Sequence, residues 1–131
     1  MKTDIVFIDD EEDILNLIRL RFRRIAKIED VNVLLFSRSC DFEDYIKKSE
    51  ADVVSVISDI NMPENKVLET LDVEKPKFRF TLAYLCSAYD QDEYKEMIDA
   101  HDIQFFFKKP LNIDLIRERI TTDLNERGVR F

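Results

Sequence analysis

Residues 53–63 read VVSVISDINMP, an apolar run that leads into a carboxylate and is closed by a proline. A largely apolar run of this kind is typical of a strand covered on both faces, so we predict a strand over Val53–Ile57. Three other segments also end a hydrophobic run with polar residues: 5–10 (IVFIDD), 85–88 (LCSA) and 106–110 (FFKKP). The carboxyl ends of parallel strands lie along one edge of a sheet, so these polar groups are expected to meet there.

Strands and helices alternate along the rest of the chain. Further strands are predicted at Ile5–Ile8, Val31–Phe36, Phe80–Leu85 and Phe105–Phe107. Apolar residues spaced three and four apart predict helices after residue 13, over Asp41–Lys48, around Val67–Leu71, over Glu93–Ala100 and over Leu111–Asn125. Five repeats of strand and helix predict an α/β fold. We expect a doubly wound, flavodoxin-like, five-stranded parallel sheet in the order 2-1-3-4-5.

The first and last helices have the clearest apolar stripes. We expect the stripes to be Ile14, Leu17, Ile18, Phe22 and Ile25 in the first helix, and Ile113, Ile116, Ile120 and Leu124 in the last. The 131 residues are expected to form one domain, 1–131, with a core over about residues 3–126 and a short tail from Arg127. This length leaves no room for an effector module unless the chain is part of a longer protein.

Charge and composition exclude several classes of function. The net charge of −8 disfavours direct binding to nucleic acid. No apolar run approaches the roughly 20 residues needed to cross a bilayer, and the first ten residues lack the apolar segment of a secretion signal. We therefore expect a cytoplasmic protein without a membrane partner. Cys40 and Cys86 form no Cys-x-x-Cys unit and are expected to be reduced thiols rather than a disulfide or a zinc site.

Gly128 is the only glycine, so a glycine-rich phosphate loop and a dinucleotide fingerprint are excluded. Backbone positions with positive φ must then be taken by Asn, Asp or His, which tolerate this region better than other residues. Asn65, His101 and Asn112 are our candidates.

The polar residues at the predicted strand ends suit phosphoryl transfer. Asp9 and Asp10 follow the first strand, Asp59 the third, Ser87 the fourth and Lys109 the fifth. Three neighbouring carboxylates repel one another, and a divalent cation with oxygen ligands relieves that repulsion. Mg²⁺ is the natural occupant, although the sequence does not distinguish it from Mn²⁺. Asp59 can act as nucleophile, while Lys109 neutralises charge and Ser87 donates a hydrogen bond to a phosphoryl oxygen.

Each residue alone also has an ordinary explanation. Asp9 and Asp10 could favour the start of a helix, worth about 0.3–1 kcal/mol. Asp59 could be a turn acid, Ser87 a loop hydroxyl and Lys109 a solvated lysine. The functional interpretation depends on all of them occurring together, in order, at strand ends.

With these motifs in order, the sequence resembles a response regulator receiver domain of the chemotaxis-regulator type, the phosphoacceptor of two-component signalling. The resemblance covers about residues 3–126 and depends on Asp9-Asp10, residues 59–63, Ser87-Ala88 and Lys109-Pro110. It implies phosphorylation of Asp59 by a histidine kinase in a Mg²⁺-dependent reaction. It also implies a protein that catalyses its own phosphorylation and dephosphorylation but turns over no separate substrate.

The resemblance assigns a role to each site residue. Asp10, Asp59 and the backbone carbonyl of Asn61 would coordinate the metal directly, and Asp9 would act through water. Ser87 would be the switch hydroxyl and Phe106 the switch aromatic. Lys109 would be the family's lysine.

The implied partners are a histidine kinase or histidine phosphotransfer protein and a downstream protein. The downstream protein, or a second copy after phosphorylation, would bind the face formed by the fourth helix, the fifth strand and the fifth helix. This face is expected to include Tyr94, Met97, Phe106, Ile113 and Arg117 or their neighbours. Glycines usual in the family are replaced by residues 64–66 (ENK) and 100–102 (AHD), which puts loop conformation in doubt. Two alternatives stay open. One is a degenerate receiver that only binds proteins. The other, less favoured, is a Mg²⁺-dependent phosphatase with an aspartate nucleophile, which has an acid where Asn61 stands.

Overall fold

The computed structural model describes residues 1–130, in which strands and helices alternate in the predicted order. The strands are β1 (Thr3–Ile8), β2 (Val31–Phe36), β3 (Val53–Asp59), β4 (Phe80–Ser87) and β5 (Ile103–Lys108). The helices are α1 (Glu12–Arg21), α2 (Ser39–Lys48), α3 (Val67–Glu74), α4 (Lys95–Ala100) and α5 (Ile113–Glu126). Short 3₁₀ turns lie at Ile25–Lys27, Lys75–Lys77 and Gln91–Tyr94.

The five strands form one parallel sheet in the order β2-β1-β3-β4-β5, which confirms the predicted fold. β3 and β4 each run two residues beyond the predicted ends, so Asp59 and Ser87 are the last residues of their strands. Asp59 lies opposite Cys86 in the register, and Ser87 lies opposite Lys108. The register therefore fixes the polar residues of three neighbouring strands at the same edge.

Two apolar layers cover the sheet, because successive side chains of a strand point to opposite faces. Val53 and Ile57 of β3 pack with α1 and α5, whereas Val54 and Val56 pack with α2 and α3. In β5, Phe106 points to the second layer while Phe105 and Phe107 share the opposite side, and their rings lie 5.0 Å apart. The stripe predicted for the last helix is buried at all four positions, Ile113, Ile116, Ile120 and Leu124.

The predicted apolar stripe of the first helix is wrong at Leu17, which is 42% exposed. Leu15 and Ile18 are the buried residues of α1, and Leu17 lies about 200° around the helix from Leu15. α1 also ends at Arg21, so Phe22 and the turn residue Ile25 contribute to the core from beyond the helix.

The three candidates for positive φ are also wrong. Among the non-glycine residues described, Asp30 (φ 65°) and Glu64 (φ 53°) adopt this conformation instead. Asn65, next to Glu64, has a supporting role, since its amide donates to the Asp59 carbonyl oxygen and its Oδ1 accepts from the backbone of Val67.

The segment after α5 is not a solvated tail throughout, since Val129 is 4% exposed and packs into the first apolar layer. Phe131, the last residue of the predicted tail, lies outside the described residues. Cys40 is exposed and Cys86 is buried, and both are free thiols. Among the helices described for residues 1–130, none is long and apolar enough to span a bilayer.

Candidate functional site

Three carboxylates meet at the carboxyl edge of the sheet. Asp9 directly follows β1, and Asp59 ends the neighbouring strand β3. Both are 4% exposed, whereas Asp10 is open to solvent. One carboxylate oxygen from each lies within 4.8 Å of the others. Residues that are 50 positions apart in sequence are therefore placed as one cluster, as expected from the strand ends.

Backbone hydrogen bonds fix the two buried acids in the same way. Asp9 Oδ1 accepts from the backbone N–H of Glu11 at 2.9 Å, and Asp59 Oδ1 accepts from that of Asn61 at 3.0 Å. Asp side chains commonly bond a backbone N–H two residues on, which stabilises a turn. In both turns the other carboxylate oxygen, Oδ2, stays available for the centre of the cluster.

Lys109 occupies that centre. Its Nζ lies 3.1 Å from Asp9 Oδ2, 3.1 Å from Asp59 Oδ2 and 3.0 Å from Glu11 Oε1. Its backbone N–H donates to the Ser87 carbonyl oxygen at 2.7 Å, which ties the end of β5 to β4. Lys108 points away and pairs with the exposed Asp90.

Burial and the neighbouring charged groups have opposite effects on the pKa values of Asp9 and Lys109. Burial raises the pKa of Asp9, and the charge of Asp59 adds to that effect, while the Glu11 backbone N–H and Lys109 act against it. Burial by itself would lower the pKa of Lys109. Its hydrogen bond to Glu11, the charge of Asp9 and its hydrogen bonds to Asp59 and Asp9 together outweigh burial, so the pKa of Lys109 lies above its ordinary value. Lys109 is thus held as a cation between two anions.

The cluster fits a hard divalent cation. It offers carboxylate oxygens from three residues within a short range, and one of them, Asp10, is exposed and gives access from solvent. Such oxygen ligands suit Mg²⁺ or Mn²⁺ rather than a softer metal. Asn61 is adjacent through its backbone bond to Asp59. Its carbonyl as a fourth ligand stays a prediction, as do the individual roles of the three acids.

Ser87 is completely buried and its hydroxyl is fully hydrogen-bonded. Ser87 Oγ donates to Asn61 Oδ1 at 2.7 Å and lies 3.1 Å from the hydroxyl of Tyr94. The same Oγ accepts from the backbone N–H of Tyr89 at 3.0 Å. Asn61 Nδ2 donates to the Tyr94 hydroxyl at 2.9 Å. Ser87, Asn61 and Tyr94, called the polar triad below, form a closed set of side-chain contacts beside Asp59.

Phe106, the predicted switch aromatic, is half-buried and stacks on Tyr94 with ring centroids 5.9 Å apart. Two residues expected on its face lie elsewhere. Ile113 is 6% exposed in the layer between α5 and the sheet. Arg117 donates to the backbone carbonyl of Arg21, so it lies on the α1 side of α5. Ile113 is therefore buried and Arg117 contacts α1, while the binding face itself stays a prediction.

Sequence reasoning missed two participants. Glu11 was not among the predicted site residues, yet its carboxylate accepts a hydrogen bond from Lys109. Its position beside Asp9-Asp10 was the available signal. Tyr94 was expected only on the binding face, and no sequence pattern linked its hydroxyl to Ser87, seven residues away.

Comparison with known proteins identifies the fold. No protein-family model and no curated protein matches the sequence. Among solved structures, the response regulator DrrB of Thermotoga maritima superposes with a TM-score of 0.76 at 18% identity, covering 97% of this chain and 54% of DrrB. Chemotaxis protein CheY4 of Vibrio cholerae gives 0.73 at 18% identity, covering 93% of this chain and 98% of CheY4. The chain has the receiver-domain fold.

A third similar structure is a receiver domain solved with a phosphate mimic. The isolated receiver domain of RcsB from Salmonella enterica serovar Typhimurium, solved with the phosphomimetic BeF₃⁻, gives a TM-score of 0.71 at 19% identity and covers 100% of this chain and 93% of the RcsB domain. The chain spans only 54% of DrrB but nearly all of CheY4 and of the RcsB domain. At these identities the likeness is one of fold.

Proposed function

We propose that the protein is a two-component receiver whose Asp59 accepts a phosphoryl group from a histidine kinase or a histidine phosphotransfer protein. The observation that carries the proposal is the position of Lys109. Its ammonium bridges the two buried carboxylates, Asp9 and Asp59, at the edge of the sheet where a receiver fold would bind its ligand. If Lys109 were an ordinary solvated lysine, or if Asp9 only favoured the start of a helix, the burial of the two carboxylates and their convergence on the Lys109 ammonium would have no explanation.

In the proposed reaction, a carboxylate oxygen of Asp59 attacks the phosphorus of a phosphohistidine. A P–O bond forms, and the P–N bond breaks with its electron pair moving to the imidazole nitrogen, which then takes a proton. The product is an acyl phosphate on Asp59. Such transfers depend mainly on in-line position and on neutralisation of the phosphoryl oxygens.

The residues divide that work among them. Asp59 is the nucleophile, and Lys109 stays within hydrogen-bonding distance of the incoming phosphoryl oxygens. Asp9, Asp10 and Asp59, with the Asn61 carbonyl, would hold Mg²⁺, which supplies Lewis-acid neutralisation of the transferring group. Ser87 lies on the next strand and has a proton to donate to the bound phosphoryl group. The protein would act by contact with a kinase and a downstream protein in the cytoplasm, and would turn over no separate substrate.

The first alternative, a degenerate receiver, would have the same fold but would not accept a phosphoryl group. The presence of all three acids, the Ser87 hydroxyl and Lys109 favours the active receiver. The phosphatase alternative needs a general acid two residues after the nucleophile. Asn61 is there, and its amide is bonded to Ser87 and Tyr94 instead.

The test uses a small phosphodonor in place of the kinase. The protein is incubated with acetyl phosphate and Mg²⁺, and its intact mass is measured. We expect one phosphate adduct, absent in Asp59→Asn and absent when the divalent cation is chelated. Asp90→Asn, which removes an exposed acid bonded to Lys108, is the matched control and should keep the adduct. Lack of an adduct on the wild-type protein would favour the degenerate receiver, and turnover of many unrelated phosphate esters would favour the phosphatase.

A further inference from the structure

We infer that Tyr94 is a positioning residue that holds the Ser87 hydroxyl away from Asp59 and so restrains phosphorylation. This inference rests on the proposed function, and it concerns a residue outside the acid and lysine site. Three observations carry it: the saturation of Ser87 by hydrogen bonds, the direction of the bonds within the polar triad, and the stacking of Tyr94 on Phe106.

The first observation is the complete use of the Ser87 hydroxyl. A serine hydroxyl has one proton and two lone pairs. Its proton goes to Asn61 Oδ1 at 2.7 Å. Its lone pairs face the backbone N–H of Tyr89 at 3.0 Å and the Tyr94 hydroxyl at 3.1 Å. Ser87 is buried, so no water shares these bonds at its side chain. A phosphoryl oxygen on Asp59 can gain the proton of Ser87 only after the bond to Asn61 breaks.

The second observation is that the bonds of the triad close on themselves. Asn61 Nδ2 donates to the Tyr94 oxygen at 2.9 Å, so the phenol is an acceptor on that side. The Ser87 proton faces two oxygens, Asn61 Oδ1 at 2.7 Å and the Tyr94 hydroxyl at 3.1 Å. Because an amide oxygen can only accept, we assign the Ser87 proton to Asn61 and the Tyr94 proton to the contact between Tyr94 and Ser87. Each member thus donates to one neighbour and accepts from the other. Ser87 is the one buried member of the triad, so the loss of a bond leaves the Ser87 hydroxyl without a partner, whereas water can reach Asn61 and Tyr94.

The third observation connects the triad to the surface. Tyr94 ends the 3₁₀ turn that precedes α4 and stacks on Phe106. Within the described range Gln91–Ala100, no residue is fully buried, so this turn and helix are lightly anchored to the core. Tyr94 adds its contacts with Ser87, Asn61 and Phe106 to the packing of Met97 and Ile98 against the core. Phosphorylation that draws Ser87 toward Asp59 would release Tyr94 and, with it, its contact to Phe106.

The test is the initial rate of adduct formation from acetyl phosphate and Mg²⁺ in Tyr94→Phe. This variant keeps the ring that stacks on Phe106 and removes only the hydroxyl. We expect the rate to rise about three- to tenfold, the factor that corresponds to the net contribution of a hydrogen bond that favours the restrained state. Tyr45→Phe is the matched control, because it removes a phenol hydroxyl bonded to Asp4 at the start of β1, the opposite edge of the sheet. Its rate should equal that of the wild-type protein.

An unchanged or lower rate in Tyr94→Phe overturns the inference while leaving the proposed function intact, because the wild-type adduct still forms. A wild-type protein without an adduct overturns both. Circular dichroism checks that the variant folds. If it does not, ¹⁹F spectra of fluorotyrosine-labelled wild-type protein decide the matter. A shift of the Tyr94 signal on addition of Mg²⁺ and beryllofluoride supports release of Tyr94, and an unmoved signal overturns it.

Discussion

Replacing Lys109 by methionine tests the charge balance on which the site depends. The change keeps an unbranched side chain that is one heavy atom shorter, and it removes the charge. In the wild-type protein, Lys109 Nζ lies 3.1 Å from one oxygen of Asp9 and 3.1 Å from one oxygen of Asp59, and both acids are 4% exposed. At an effective dielectric constant of about 20, each such pair attracts by about 5 kcal/mol.

The net loss is smaller than the sum of these attractions. Burying the ammonium has its own desolvation penalty, which the variant no longer carries. A stranded carboxylate can also take up a proton, which at pH 7 requires about 4 kcal/mol for an acid of ordinary pKa about 3.9. We therefore expect Lys109→Met to lose about 3 kcal/mol of unfolding free energy at pH 7 without a divalent cation.

The dependence on pH and Mg²⁺ separates this effect from lost packing. Burial already raises the pKa of Asp9, and removal of Lys109 raises it further. An acid whose pKa is higher in the folded state than in the unfolded state destabilises the fold once it ionises. The deficit should therefore shrink as the pH falls toward the unfolded value near 3.8. Mg²⁺ should also reduce it, because the variant lacks the Lys109 ammonium on the same carboxylates and should therefore bind the ion more tightly than the wild-type protein does.

Urea unfolding followed by circular dichroism measures these differences, with and without Mg²⁺, at pH 7 and pH 5. Lys108→Met is the matched control, since Lys108 has a side chain that is 57% exposed and pairs with Asp90 at the surface. We expect Lys108→Met to lose no more than about 0.5 kcal/mol of unfolding free energy. The proposed charge balance would be refuted if the two variants lost the same unfolding free energy. It would also be refuted if the loss in Lys109→Met changed with neither pH nor Mg²⁺.

Three further predictions concern residues around the site and the core. Burial and a hydrogen bond to Asp123 raise the pKa of Tyr84 above its ordinary 10.0. The Tyr84 hydroxyl therefore loses its proton at a lower pH in the unfolded chain than in the folded one, and the unfolding free energy should fall as the pH rises past 10. Tyr84→Phe should flatten that slope in urea titrations. Glu64→Gly should stabilise the fold by about 1 kcal/mol in thermal unfolding, because φ at Glu64 is 53°, and Asp30→Gly by less, since Asp tolerates this region. Glu11→Gln should weaken the hold on Lys109 and destabilise the fold by about 0.5–1 kcal/mol, measured by urea unfolding.

The topology and the acid cluster could be predicted because they depend on position along the strands. An apolar run that ends at Asp59 places the carboxylate at the edge of the sheet whatever the loops do. The same rule places Asp9 and Lys109. The alternation of side chains along a strand also explains why Phe106 packs in the second apolar layer while Phe107 packs in the first.

Contacts that depend on loop path could not be predicted in this way. Tyr94 reaches Ser87 only because the chain after β4 makes a 3₁₀ turn, and no period in the sequence encodes that turn. Positive φ falls on Glu64 because the turn after Met62-Pro63 is held by the Asn65 amide on the Asp59 carbonyl. Residue preference alone indicated the neighbour, Asn65, instead.

In the proposed function, the burial of Asp9 and Asp59 would couple the site to Ser87. The two buried carboxylates need a positive charge, and Lys109 supplies it. A phosphoryl group on Asp59 would add negative charge beside Lys109 and would offer new acceptor oxygens. A cation on the three carboxylates would meet the added charge, and the new acceptors would compete for the Ser87 proton that is now donated to Asn61. Because Ser87 has only that one proton, the competition would be resolved by moving Ser87, which would disturb Tyr94 and its contact with Phe106.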